Sequence, residues 1–217
     1  LFYPSEALLR LVHKHLLSEV RLDFPGSARL PFEGQDALDV GCGLGRHVHY
    51  LEELGFSAKG VDLSAEAIRR AREWYRMRRG VKATNQFQVV EQPFSWPPSS
   101  VDFVVCAATL DSMPLKEARR TVNTSLLSLR PGGYLYFDVL VHTNRVKGLQ
   151  ILGAEQEWLV VCAHERGTVQ TIHSEESIRS LLPESAQVVA SESVTRDDLV
   201  HGWSSTRRHL LIQSAHS

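Results

Sequence analysis

The sequence predicts a doubly wound α/β domain: a seven-stranded, mostly parallel sheet flanked by helices, with the last strand antiparallel. Three observations predict it. Short apolar runs alternate with helical patterns from Ala37 onward, and a glycine-rich bend, Gly41-Cys42-Gly43-Leu44-Gly45, follows the first run. The chain's 217 residues, 43% of them hydrophobic, suit one packed core, so residues 1–217 are expected to form a single domain.

Each element follows from local pattern. Leu8, Leu9, Val12, Leu16 and Val20 recur at helical spacing and predict an amphipathic helix from Ser5 to Val20. Together with the Pro- and Gly-rich stretch Pro25 to Gly34, this forms an N-terminal element, residues 1–34, that either acts as a lid or packs against the sheet. Strand Ala37 to Val40, helix Arg46 to Leu54, strand Ala58 to Val61, helix Ala65 to Arg78 and strand Phe87 to Val90 then repeat as parallel βαβ units. Strand Val101 to Cys106, helix Leu115 to Leu129, the turn Arg130-Pro131-Gly132-Gly133 and strand Tyr134 to Leu140 continue them. The rhythm breaks at residues 141–173. There Trp158 to Ala163 and Thr168 to Ile172 flank Glu165-Arg166-Gly167 as a β-hairpin, an insertion after strand five and over the acceptor side. Ser174 caps a helix that carries Glu175 and Glu176 in its first turn and stops before Pro183. Gln187 to Val194 and His209 to Gln213 read as the final strands.

Composition narrows the function classes. A formal net charge of -1 gives the whole molecule no bias toward nucleic acid or anionic membrane. Cys42, Cys106 and Cys162 form no C-x-x-C pair, so no metal is expected and a reduced, cytoplasmic setting is. No apolar run is long enough to cross a bilayer, and Leu1 to Glu6 lacks the basic-then-apolar order of a signal peptide.

The chemistry concentrates at the glycine bend. Its spacing is G-x-G-x-G, whereas dinucleotide sites use G-x-G-x-x-G. Asp39, at the end of the first strand, would repel a pyrophosphate but suits the ammonium and sulfonium charges of S-adenosylmethionine. Asp62 ends the second strand in Val61-Asp62-Leu63-Ser64, at the sheet edge where open α/β folds bind ligands, and its carboxylate can accept from both hydroxyls of a ribose. Ser64 is better placed than Asp62 to cap the helix that follows.

These features together resemble the class I S-adenosylmethionine-dependent methyltransferases, whose scaffold is Rossmann-like. The resemblance covers Asp36 to Val139 and rests on four pieces: the D-x-G-x-G-x-G loop at Asp39 to Gly45, the strand-end Asp62, Val101-Asp102-Phe103-Val104-Val105, and Leu129-Arg130-Pro131-Gly132-Gly133. It implies that S-adenosylmethionine is the cofactor, left as S-adenosylhomocysteine, and that Asp39, Gly41, Cys42, Gly43, Asp62 and Leu63 surround its methionine and ribose. Gly45 serves helix packing. After strand three the family offers adenine an acidic or amide side chain and a backbone N–H; here Glu91 and Gln92 compete for the first role, and because Pro93 has no N–H to give, Phe94 supplies either the donor or an apolar wall. The residues just past strand four, Ala107 to Thr109, close over the cofactor through their backbone.

The implied reaction is methyl transfer to an O, N or S nucleophile of a small molecule. His142, after strand five, is the first candidate base; His173, His164 and Asp111 are weaker ones, and His47 and His49 read as structural or cofactor-flanking. Cys106-Ala107-Ala108-Thr109 lacks the Asn/Asp-Pro-Pro-aromatic motif of amino-group enzymes acting on adenine or amide nitrogens, and Cys106 lacks the preceding proline of cytosine C5 enzymes. The helix bearing Arg69, Arg70, Arg72, Arg76, Arg78 and Arg79 with Trp74 and Tyr75 admits an RNA-binding alternative, tempered by Glu66 and Glu73. The remaining alternatives are a protein methyltransferase, a nicotinamide-dependent oxidoreductase, and a cofactor-binding module without turnover.

Overall fold

The computed structural model describes residues 3–17, 30–81, 85–144, 149–152, 157–161 and 167–215. The N-terminal helix α1 (Glu6–Leu11) continues as a π-helical turn over Val12–Leu16, closed by Leu17 N–H donating to Val12 O at 3.0 Å. Leu8, Leu11, Val12 and Leu16 are buried against the sheet. The alternating units are β1 (Asp36–Val40), α2 (Arg46–Glu53), β2 (Ser57–Asp62), α3 (Ala65–Arg79), β3 (Phe87–Val89), β4 (Val101–Cys106), α4 (Leu115–Ser128) and β5 (Leu129–Thr143). A short antiparallel sheet of β6 (Leu149–Ile151), β7 (Glu157–Val160) and β8 (Val169–Thr171) follows, then α5 (Glu175–Leu181), β9 (Gln187–Asp198) and β10 (Trp203–Gln213).

The main sheet runs β3-β2-β1-β4-β5-β10-β9, with β10 antiparallel to both neighbours, the topology expected. Two cores explain the double winding. Residues of α1, α2 and α3 pack on one face around Leu51, Phe56, Phe87, Phe103, Tyr136 and Leu211; residues of α4 and α5 pack on the other around Leu38, Val104, Leu135 and Phe137. Adjacent β5 residues thus face opposite cores. Arg130 bolts the edge away from the glycine bend, donating to Asp102 Oδ2 and Asp36 Oδ2 on β4 and β1. Gly45 (φ +80°) lets α2 start close to the sheet: a Cβ there would lie 2.5 Å from the Phe87 ring.

The insertion differs from the expected hairpin. The β7–β8 pair forms, with Trp158 opposite Gln170, but β6 adds a third strand that three residues were too few to announce. Arg145, His164, Glu165, Arg166 and the first half of the loop Pro25 to Gly34 lie outside the described residues. The insertion packs beside the exit of β4: Gln170 Nε2 donates to Asp111 O and Oδ2 at 3.0 Å each, and Thr171 Oγ1 donates to Met113 O.

On α3, five of the six arginines are engaged locally. Arg69 and Arg70 pair with Glu66, Arg78 with Glu53 and Arg79 with Glu52, while Arg72 donates to Phe87 O.

His49 on α2 is 2% exposed and stacks on Tyr75. Burial first, then the charges of Arg78 and Arg79, push its pKa down to about 4. An unfolded histidine titrates near ~6.5, so between that pH and about 4 the unfolded chain takes up a proton that the fold refuses. His49 therefore costs no stability above that window and progressively more below it, up to roughly 3 kcal/mol. Urea unfolding from pH 7.5 downward checks this: His49→Phe is expected to flatten the decline, and an unchanged slope would assign it to other groups.

Candidate active site

The glycine bend is shaped by the ends of β1 and β2. Gly41 and Cys42 N–H both donate to Val61 O, at 2.8 and 2.9 Å, which curls the loop over the end of β2. Gly43 N–H then donates to Asp62 Oδ2 at 2.9 Å, and Ser64 N–H to Asp62 Oδ1 at 2.9 Å. Ser64 caps α3, its Oγ accepting from Ala67 N–H, which frees Asp62 from that task. The half-buried Asp62 carboxylate is thereby fixed at the rim of a cavity of about 240 Å³. Gly41, Asp62, Leu63, Gln92 and Phe94 line it, opposite Thr109 and Met113.

A second cavity, about 470 Å³, shares Ala108 with the first as a lining residue. The segment Tyr3 to Ala7 and the β9–β10 ribbon wall it, together with Arg46, Asp138, Arg207 and His209. Arg207 is the centre of its electrostatics. Its guanidinium donates to Asp111 Oδ1 at 2.5 Å and to Asp138 Oδ1 at 2.7 Å, and both carboxylates are buried. Asp138 Oδ1 also accepts from Ala108 N–H at 2.7 Å, holding that residue at φ 53° between the two cavities. Burial alone would raise the Asp138 pKa; the His209 hydrogen bond, Arg207 and the Ala108 N–H outweigh it and hold the carboxyl well below the usual carboxylate range. Arg10, at the cavity wall, pairs with Glu192. Arg46 and Arg196 line the cavity with no carboxylate partner among the described residues, and Glu6 shares that wall.

Beneath the loop lies a buried polar pair. Neither Asp39 oxygen has a hydrogen-bond partner among the described residues, and His47 Nδ1 stands 3.5 Å from Oδ1. His47 Nε2 accepts from Ser5 N–H at 3.3 Å, so the imidazole proton lies on Nδ1, facing the carboxylate, and the N-terminal segment is tied to the loop.

The residues singled out from sequence therefore separate into groups. Gly41, Asp62, Leu63, Gln92 and Phe94 share the first cavity, and Gly43 joins them through its N–H; Glu91 does not line it. Asp39, Cys42 and Ala107 are buried beneath and line neither cavity. Burial, with the charges of Asp39 and Asp62, pushes the Cys42 thiol up, and Cys106 is likewise buried and inert. His142 is exposed opposite Thr206 and lines neither cavity, because β5 runs on to Thr143 and its alternation turns that side chain to solvent. His173 is buried at the insertion, its pKa lowered chiefly by burial and its Nδ1 3.3 Å from Ser177 Oγ. Of the segment Ala107 to Thr109, Ala108 and Thr109 line the first cavity. Arg46, Arg207 and His209 were not singled out for these cavities, and only the alternation Arg207-His209-Leu211 on one face of β10 could have signalled the last two.

The site fits the adenosyl cofactor on its own terms. A cavity with a fixed carboxylate at its rim, an apolar wall at Phe94 and Met113, and a glycine loop without side chains provides what a ribose, a ring and a methionine tail require.

Comparison with known proteins agrees with this geometry. Residues 9–187 match a family described as a methyltransferase domain. A ubiquinone biosynthesis O-methyltransferase of Xanthomonas euvesicatoria pv. vesicatoria is 35% identical over 141 residues, 65% of this chain and 57% of that protein. One of Xylella fastidiosa is 31% identical over 141 residues, 65% of this chain and 56% of its own length. The match thus spans little more than half of these relatives. Among solved structures, an S-adenosylmethionine-dependent methyltransferase of Methanosarcina mazei superposes with a TM-score of 0.69 at 24% identity, covering 85% of this chain and 94% of that one. The magnesium protoporphyrin IX methyltransferase of Synechocystis PCC 6803 with bound S-adenosylhomocysteine gives 0.63 at 18% identity, covering 96% and 82%. With its family match spanning most of the sequence and its loop, strand-end acid and topology in agreement, the chain belongs to the S-adenosylmethionine-dependent methyltransferases.

Proposed function

We propose that the protein methylates an O, N or S nucleophile of a small molecule, the cofactor occupying the cavity at Asp62 and the acceptor the cavity at Arg207. The observation that carries this reading is that one residue, Ala108, lines both cavities. Asp62 holds the ribose, Gln92 and Phe94 border adenine, and the Gly41–Gly43 bend follows the methionine portion. The cofactor supplies an electrophilic methyl on a sulfonium; the protein's task is to align the acceptor with it and exclude water. The relatives named for ubiquinone biosynthesis and for magnesium protoporphyrin IX support a small-molecule acceptor. Residues 1–34 serve as a cover, contributing Tyr3 to Ala7 to the acceptor wall, while the insertion at residues 141–173 supports the opposite side through Gln170 and Asp111.

Calorimetry with S-adenosylmethionine and with NADH tests the cofactor, and labelled methyl transfer into metabolite, RNA and protein pools tests the acceptor. Binding of the adenosyl cofactor with label in small molecules is the expected result. Asp62→Ala removes charge-assisted bonds worth about 1.5–3 kcal/mol, so the cofactor Kd should rise about tenfold to a hundredfold. Tight binding of NADH alone would overturn the reading, and label confined to RNA or protein would move the acceptor class.

A further inference from the structure

The second cavity contains a hydrogen-bonded chain that the sequence did not announce. His209 Nδ1 lies 2.9 Å from Tyr136 Oη and 3.4 Å from Asp138 Oδ2, and Tyr136 Oη lies 3.4 Å from the same Oδ2. Arg207 and Ala108 donate to the other carboxylate oxygen, Oδ1. Among the described residues, then, Tyr136 and His209 are the groups that can bring a proton to Oδ2. Tyr136 keeps its own: burial, then the charge of Asp138, raise its pKa far above neutrality. With Tyr136 O–H directed at Oδ2, its oxygen is free to accept from Nδ1–H. With Tyr136 O–H directed at Nδ1 instead, Oδ2 would face no donor. The carboxylate thus selects the imidazole tautomer protonated on Nδ1, leaving a lone pair on Nε2 of a residue that lines the cavity.

We propose that His209 Nε2 is the general base of methyl transfer, acting on a hydroxyl or amine acceptor bound beside Ala108; this rests on the methyltransferase reading above. As the acceptor atom bonds to the methyl carbon, the methyl–sulfur bond breaks with its electron pair remaining on sulfur, and the acceptor's proton passes to Nε2. Asp138 stabilises the imidazolium that results, and the proton leaves to solvent through the cavity mouth. The charged groups around His209 come from each neighbouring element. Tyr136 and Asp138 face it from β5, Arg207 from its own strand, and Glu192, its cross-strand partner on β9, is neutralised by Arg10 of α1. Glu6 of α1, Arg46 of α2 and Arg196 of β9 complete the charged wall.

Two measurements test the proposal. Nitrogen-15 NMR of the histidine rings in wild type with S-adenosylhomocysteine, assigned against His209→Asn, should show Nδ1 protonated and Nε2 bare; a neutral ring protonated on Nε2, or an imidazolium at neutral pH, would overturn it. In His209→Asn the amide can still donate where Nδ1 stood, but nothing replaces Nε2. Against a panel of hydroxybenzoates, dihydroxybenzoates and aminobenzoates with labelled cofactor, kcat at pH 7 should fall about a hundredfold or more. The cofactor Kd should stay unchanged, and the deficit should shrink as pH rises toward ionisation of the acceptor. A kcat unaffected by the substitution, or a loss constant across pH, counts against the base; should no panel member be methylated, the tautomer decides alone. Failure of wild type to bind the cofactor would strike the methyltransferase reading and leave the tautomer result standing.

Discussion

Replacing Arg207 by methionine is expected to destabilise the protein by about 3–5 kcal/mol, the range measured when one partner of a buried ion pair is removed. Arg207 stands between two carboxylates whose side chains are 7% and 4% exposed, Asp111 and Asp138. Methionine fills much of the volume but leaves both charges desolvated and in mutual repulsion. The pH dependence distinguishes this from lost packing. In wild type the depressed Asp138 pKa contributes stability that is present above the unfolded value, ~3.9, and is lost only as pH falls through the folded value. Without Arg207 the same carboxyl titrates upward, so protonation relieves the variant and its deficit against wild type narrows below about pH 5. A second substitution, Asp111→Asn, should recover part of the loss at neutral pH by removing one of the two charges. Denaturant unfolding at pH 7 and pH 4 checks both statements; an equal deficit at the two values would mean the guanidinium acts by packing alone.

Arg207 also shows what could and could not be read from the chain. The glycine bend, Asp62 and the turn at Arg130 to Gly133 were legible because each is written in contiguous residues whose chemistry depends on the local backbone. The alternation of strand and helix announced the parallel βαβ units for the same reason, but not the order of the strands in the sheet. The second cavity is different. Arg207 is 96 residues from Asp111 and 69 from Asp138, and antiparallel pairing of β10 with β5 makes them neighbours. That pairing was itself under-read: β9 and β10 extend to Asp198 and back to Trp203, through polar residues such as Arg196, Asp197 and Ser204. Cross-strand hydrogen bonds hold them there, and burial, the property that hydrophobic alternation reports, contributes little. His142 illustrates the converse. Its place near the end of strand five was legible, but whether the strand would stop at Leu140 or run on through His142 and turn the ring to solvent depended on a partner strand elsewhere in the sequence.

Gly41→Ala is expected to abolish measurable cofactor binding and to lower stability by about 2–5 kcal/mol, combining roughly 1–3 for a non-glycine residue held at positive φ with roughly 1–3 for overpacking. Gly41 sits at φ +70°, and a Cβ there would lie 2.5 Å from Thr109 Cγ2 and 3.0 Å from Thr109 Cβ. Thr109 is not free to turn away without cost, because its hydroxyl donates within reach of Val40 O and Ala107 O, both at 3.1 Å, tying the exit of β4 to the end of β1. Relief must therefore come from the loop, which would lift the Gly41 and Cys42 N–H groups from Val61 O and carry Gly43 away from Asp62. Both walls of the first cavity move together, which is why cofactor affinity should suffer more than the stability loss alone implies. The double variant Gly41→Ala with Thr109→Ala separates the causes: it removes the Cγ2 and Oγ1 contacts but not the backbone strain, so about half of the stability should return. Calorimetry with S-adenosylmethionine and thermal unfolding, where each kcal/mol shifts Tm by about 2–4 °C in a chain of this size, provide the readouts. Cofactor binding by Gly41→Ala at wild-type affinity would mean that the cavity between this loop and Thr109 is not where the adenosyl group lies.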